Sequence, residues 1–275
     1  MTDGSFATFA EWFSLTSADI DGFHRVGITQ TVDGTALQQG DVLFSSSTFN
    51  NFDVAGSSIL ANPADIYLFR PNTIGDYSAG TFSIYAASGN IGESVQGFTL
   101  VEQQTTVGDR VVNVGDILYG TQTSNHVHHY DAASQTPSIL IDGNDLGLDA
   151  ANDFTAIELI EEATVVDGVT FEAGQLLLSN RSSETNNGVT IGSEDVYRLD
   201  VTSTGAGTTS GASDIVFDGS DVGFTPTQSI DSLALNTFVD AEPTLDLSSG
   251  IELNDGGNDA FLISDGGLGL SLIHI

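Results

Sequence analysis

Short apolar runs recur along this chain, each opened by a glycine and an acidic or amide residue: "GDVLF" from Gly40, "GDILY" from Gly115 and "GQLLL" from Gly174. Apolar side chains at successive positions, without outward polar alternation, predict strands covered on both faces. Just upstream stand "VDGTALQQ", "VGDRVVNV" and "VDGVTFEA". Their Asp-Gly or Gly-Asp pairs supply the positive φ that a tight turn needs. Three more matches follow in fixed order. A second strand reads "ADIYLFRP", "NHVHHYDA" and "EDVYRLDV"; a third reads "GTFSIYAASGNIG", "SILIDGNDLGL" and "DIVFDGSDVGF"; a fourth reads "FTLVE", "FTAIELI" and "IDSLALN". The opening "DIDGFHRV" takes a fourth-strand place. No long stretch keeps a helical period.

A repeated four-stranded unit is the sequence form of a propeller blade. The expected fold is all-β, built from repeated blade-like units in a β-propeller-like arrangement; a string of small β-sandwich modules is the alternative. The expected organisation is the end of an incomplete unit over 1–28 and three units over 29–104, 105–163 and 164–240. A linker and the start of a further β-module follow over 241–269. Residues 270–275, "LSLIHI", can be encoded as a transposase end used in shotgun libraries, and are expected to be adapter read-through with no biology. The spacing between Gly40, Gly115 and Gly174 is unequal, which predicts loops of different length on a common framework.

Charge narrows the partners. With 38 acidic and 5 basic residues the formal net charge is −33, and every basic residue is an arginine. Such a surface repels nucleic acid and anionic lipid, whose phosphates need cations in place of released counterions. It attracts divalent cations or a saline medium that screens its self-repulsion. A hydrophobic fraction of 40% separates it from acidic disordered chains. The absence of cysteine excludes disulfides, thiolate metal sites and a cysteine nucleophile. No apolar run is long enough for a membrane span. "MTDGSFATFAEW" has neither the basic start nor the apolar core of a signal peptide, so export would need another signal or a start further upstream.

Candidate chemistry is sparse. His126 and His128 in "NHVHHYD" point the same way on a strand and offer a pair of transition-metal ligands. The sister strands manage with Asp and Tyr at those places, so plain strand histidines are the favoured reading. "IDGNDLGLD" and "FDGSDVGF" gather oxygens beside glycines: Asp142, Asn144 and Asp145, then Asp218, Ser220 and Asp221. These suit calcium, although an Asp-Gly turn with side chains bonded to local amides is the plainer reading. Glu161–Glu162 continue a strand and read as its solvated end. No nucleophile elbow, phosphate loop or zincin helix is present, so no catalytic residue is assigned.

On "FDGSDVGF", "IDSLAL" and "QLLLSN" the chain resembles a propeller-like β-repeat of large secreted bacterial surface proteins, over about residues 6–240. Such repeats often neighbour cadherin-like or RTX-type calcium modules; "EPTLDLSSGIELN" is similar to the opening of one, and "LNDGGNDAFLISDGG" to RTX turns. The resemblance implies an extracellular or cell-surface location and an adhesive role toward a surface ligand or neighbouring modules. It supplies no catalytic residues. A calcium-assisted propeller hydrolase, phosphatase- or phytase-like, and a salt-adapted intracellular acidic protein are the competing classes.

Overall fold

Every predicted strand of the three repeats forms. The computed structural model describes residues 20–235 except 47, 50, 55–56, 151, 167, 187, 227 and 231, together with 261–265 and 270–274. Most of the 241–269 stretch read as a linker and new module therefore lies outside the described residues.

Along the chain, β1 (Phe23–Arg25) leads into a small hairpin, β2 (Gln30–Val32) with β3 (Thr35–Leu37). Then come β4 (Val42–Phe44), a second hairpin of β5 (Asn51–Val54) with β6 (Ser57–Leu60), and the long β7 (Ile66–Thr73) and β8 (Asp76–Ala86). The second round is β9 (Val95–Leu100), the hairpin β10 (Thr105–Val107) with β11 (Arg110–Val112), β12 (Ile117–Thr121), β13 (Ser124–Asp131) and β14 (Thr136–Ile141). The third is β15 (Phe154–Leu159), the hairpin β16 (Thr164–Val166) with β17 (Val169–Phe171), and β18 (Leu176–Asn180). It continues with the hairpin β19 (Glu184–Asn186) and β20 (Val189–Ile191), then β21 (Val196–Ser203) and β22 (Ser210–Phe217). β23 (Ser232–Leu235), β24 (Phe261–Asp265) and β25 (Leu270–His274) follow.

Three four-stranded antiparallel sheets result, in the orders β1-β4-β7-β8, β9-β12-β13-β14 and β15-β18-β21-β22. None closes on itself. Their registers repeat: Arg25 faces Val42, Leu100 faces Ile117 and Leu159 faces Leu176. The strand placed fourth in each sequence repeat is thus the first strand of the next sheet. The unequal glycine spacing also has a cause. Hairpins interrupt β4–β7 and β18–β21, whereas a tight turn at Gln122 and Thr123 joins β12 to β13.

In the second and third sheets burial falls from first strand to last. β4, β9, β12, β15 and β18 are buried at every position, whereas β22 is exposed or half-buried throughout. Apolar layers fill the gaps between sheets. Leu43, Ile66 and Leu68 of the first sheet meet Phe98, Leu100 and Tyr119 of the second; Leu118, Val127 and Leu140 meet Leu178, Tyr197 and Leu199 of the third. Phe52 covers the other face of the first sheet against Phe44, at 5.0 Å between rings. Ile230 and Leu233 cover the other face of the third against Ala156 and Leu177. Double coverage is why these strands read as unbroken apolar runs. The first strands lie together: β9 rests against β1 and β15, and β23 against β15, β9 and β1.

The recurrent glycine has two jobs. Gly115 and Gly174 hold φ of +92° and +91°, a region costly for other residues. A Cβ on Gly115 would also sit 2.0 Å from Val32 Cγ1, and one on Gly174 2.1 Å from the Thr106 carbonyl. The β2–β3 and β10–β11 hairpins therefore tuck under the glycine turn of the following sheet.

Candidate functional site

The histidine strand divides between two faces. His126 and His128 stand side by side on β13, ring centres 6.0 Å apart, with His128 stacked on Tyr119 at 5.2 Å. Burial, helped by the neighbouring His126, pulls the His128 pKa below its ordinary value, and Glu93 opposes the shift only weakly. His128 Nε2 is buried and has no hydrogen-bond partner among the described residues. Glu93 accepts from the Thr123 and Thr121 hydroxyls at 2.7 and 2.9 Å, which hold its carboxyl below the usual range. His129 points the other way. Its Nε2 lies 2.7 Å from Asp116 Oδ2 in a buried pair, and Asp116 also accepts from the Asn113 and Ala132 amides. Asp41, the sister of Asp116, accepts the Gln38 amide likewise and takes Arg70 as its cation at 2.6 Å. "NHVHHYD" is a strand, and one histidine is paired with the aspartate of the glycine turn.

The structure joins two stretches that the sequence reading kept apart. Asp142 Oδ1 lies 3.3 Å from His126 Nδ1. The same oxygen accepts from the Asn144 amide and side chain at 3.1 and 3.0 Å, and Oδ2 accepts the Gly207 amide at 3.0 Å. Burial works against the Asp142 carboxylate, but the Gly207 and Asn144 donors hold its pKa below the ordinary value. Asp145 accepts the Thr209 amide at 2.8 Å. These aspartates bind the β21–β22 connection of the third sheet to the end of the second. Asp218 caps a single 3₁₀ turn, Gly219–Val222, accepting from the Ser220 amide and hydroxyl at 3.0 and 2.6 Å; the Asp221 amide donates back to the Asp218 carbonyl. Among the described residues, no three His, Asp or Glu side chains are arranged to hold a metal ion.

A further cluster lies where β1, β9 and β15 meet. Aligning the registers places His24, Thr99 and Glu158 in equivalent positions. Glu158 accepts from the Thr99 hydroxyl at 3.0 Å, and His24 Nε2 lies 3.0 Å from Glu102 Oε1. Glu102 also receives the Gly27 and Ile28 amides, at 2.8 and 2.6 Å. Glu161 in turn accepts the Glu102 amide at 2.5 Å. Burial pushes the Glu161 carboxyl up to about 8, against the pull of its backbone donors and His24. Burial pulls His24 down, yet Glu102, Glu158 and Glu161 outweigh it and leave its pKa raised. Of the pair read as a solvated strand end, Glu162 is exposed, whereas Glu161 reaches back into this junction. The sequence signal was a polar residue at one repeated position, His24, Thr99 and Glu158 in the aligned strands.

No family model, curated protein or solved structure matches this chain.

Proposed function

We propose that this chain is a non-catalytic structural and binding repeat region, propeller-like in layout, from a secreted or cell-surface bacterial protein. One observation carries the reading: its acidic side chains join one unit to the next. Asp142 and Asp145 take amides of the third sheet, Asp109 takes the Thr204 amide and hydroxyl at 2.9 and 2.7 Å, and Glu102 takes amides beside β1. A carboxylate that accepts backbone amides of the neighbouring unit is a fixed strut rather than a free base. The layout is supported by first strands that lie together while later strands become exposed. Calcium enters as a counter-ion of the acidic surface and not as a ligand that the turns require.

The test is an assay for calcium-dependent phosphomonoester hydrolysis by the whole chain. No turnover above buffer is expected. Turnover that disappears in Asp142→Asn would overturn the reading in favour of a calcium-assisted hydrolase.

A further inference from the structure

An arginine straps the first hairpin of each unit to its own sheet, and the strap differs in the middle unit. In the first unit, Arg70 of β7 runs to the Ala36 carbonyl of β3 and to Asp41, both at 2.6 Å. In the third, Arg198 of β21 lies 6.0 Å over the Phe171 ring. It donates to the Thr170 carbonyl of β17 and to Asp214, both at 3.0 Å. The registers place His129 of β13 level with Arg198, and Asp131 level with Arg70. Both side chains are too short to cross. His129 turns to Asp116, and Asp131 accepts the Ser134 amide of its own turn at 2.8 Å.

The strap comes from the hairpin instead. Arg110 of β11 reaches Ser138 Oγ at 3.0 Å and the Ile139 carbonyl at 3.4 Å. Both oxygens are uncharged, whereas Arg70 and Arg198 each hold an aspartate. What is left between hairpin and sheet is an open cleft of about 260 Å³. Its floor is one face of β13 and β14, where His129 sits opposite Ser138 and Asp131 opposite Thr136. Arg110, Val111 and Asn113 make the wall.

These groups select a ligand. The Ser134 amide above all holds the Asp131 carboxyl below its ordinary value, so it stands as an acceptor. Arg110 is a permanent donor, and Asn113 presents its NH₂ because its Oδ1 takes the Gln104 side chain at 2.9 Å. The hydroxyls of Thr136 and Ser138 serve either way. Val111, 49% exposed, adds an apolar edge. A carboxylate facing a guanidinium suits neither an anion nor a divalent cation, and the net charge of −33 repels an anion further. A neutral pyranose meets the whole set. Its adjacent hydroxyls both donate and accept, and its C–H face is apolar. The cleft is smaller than the about 300–1,000 Å³ that larger ligands occupy, which leaves room for one ring.

We infer that this cleft of the middle unit is a binding site for a single neutral pyranose residue. The inference rests on the proposed binding role and gives it a ligand class. Phosphomonoester turnover would defeat the non-catalytic reading and leave the sugar titrations as they are.

The test is saturation-transfer NMR on the full chain with the methyl pyranosides of glucose, galactose and mannose, then titration of those that respond. At least one should bind, with a Kd in the millimolar range that a few hydrogen bonds in an open cleft support. The uronic-acid form of that sugar should bind several-fold more weakly at low salt. Asp131→Arg supplies the strap of the first unit and should fill the cleft; Arg110→Ala removes the donor from its wall. Each should weaken binding about tenfold or more, with melts confirming that the variants fold. If Asp131→Arg does not fold, Arg110→Ala decides alone. Silence from all three pyranosides, an unchanged Kd in Arg110→Ala, or tighter binding of the uronic acid overturns the site.

Discussion

Asp116 accepts from three directions at once: the amides of Asn113 and Ala132 and the ring of His129. Removing one member of a buried pair leaves the other charge or polar group unsatisfied, which costs far more than the pair's net worth. Asp116→Ala should therefore destabilise the chain by about 3–5 kcal/mol in urea unfolding, well beyond substitution of the exposed Glu162. Glu161 acts in the opposite sense. Its folded pKa of about 8 lies above the ordinary 4.5, so the folded state binds the extra proton between those values. Stability is then greatest at the acid end of that window and falls as pH rises through about 8. The raised His24 adds to the same slope above its ordinary 6.5. Unfolding measured across this window should show the decline in the natural chain and a flatter profile in Glu161→Gln, with Glu162→Gln unchanged. Equal slopes in all three would remove Glu161 as the cause.

Among the elements, the glycine turn and the small hairpin beneath it are the joint between sheets. Gly34 and Gly174 both hold positive φ, but a Cβ meets nothing within 4 Å at Gly34 and the Thr106 carbonyl at Gly174. Gly34→Ala should cost about 1–2 kcal/mol from the backbone alone, and Gly174→Ala clearly more; thermal melts of the two variants separate strain from collision. The strands themselves were legible, because burial on both faces leaves a run of apolar residues that a loop cannot afford. The pairing was not. A repeat in sequence fixes the order of strands but not which sheet its last strand joins, and only the register of Leu100 on Ile117 decides that. The junction was equally hidden, since His24 and Glu102 are 78 positions apart and Thr99 and Glu158 59.

For the whole molecule, a net charge of −33 is a self-repulsion that any salt relieves. Melting midpoints should climb with sodium chloride. At matched ionic strength, calcium and chelator should give the same midpoint, because the Asp142 and Asp145 carboxylates already hold amides. A midpoint that rises with calcium alone, and is lost in Asp218→Asn, would make the turns a true ion site. The acidic turns were visible in sequence as clusters of oxygens; their targets, the amides of Gly207 and Thr209, lie 65 and 64 positions away, so a ligand cluster and a strut spell alike.

The displacement of each repeat's last strand into the following sheet also bears on how such a chain can grow. A duplication need not respect sheet borders to be viable. Wherever in the repeat its breakpoints fall, copying one full period hands the new copy its opening strand from the unit before and passes one on to the unit after. Unequal crossing-over thus adds or deletes whole sheets without leaving a gap, and lineages carrying this architecture should differ in the number of units far more readily than in the make-up of any one.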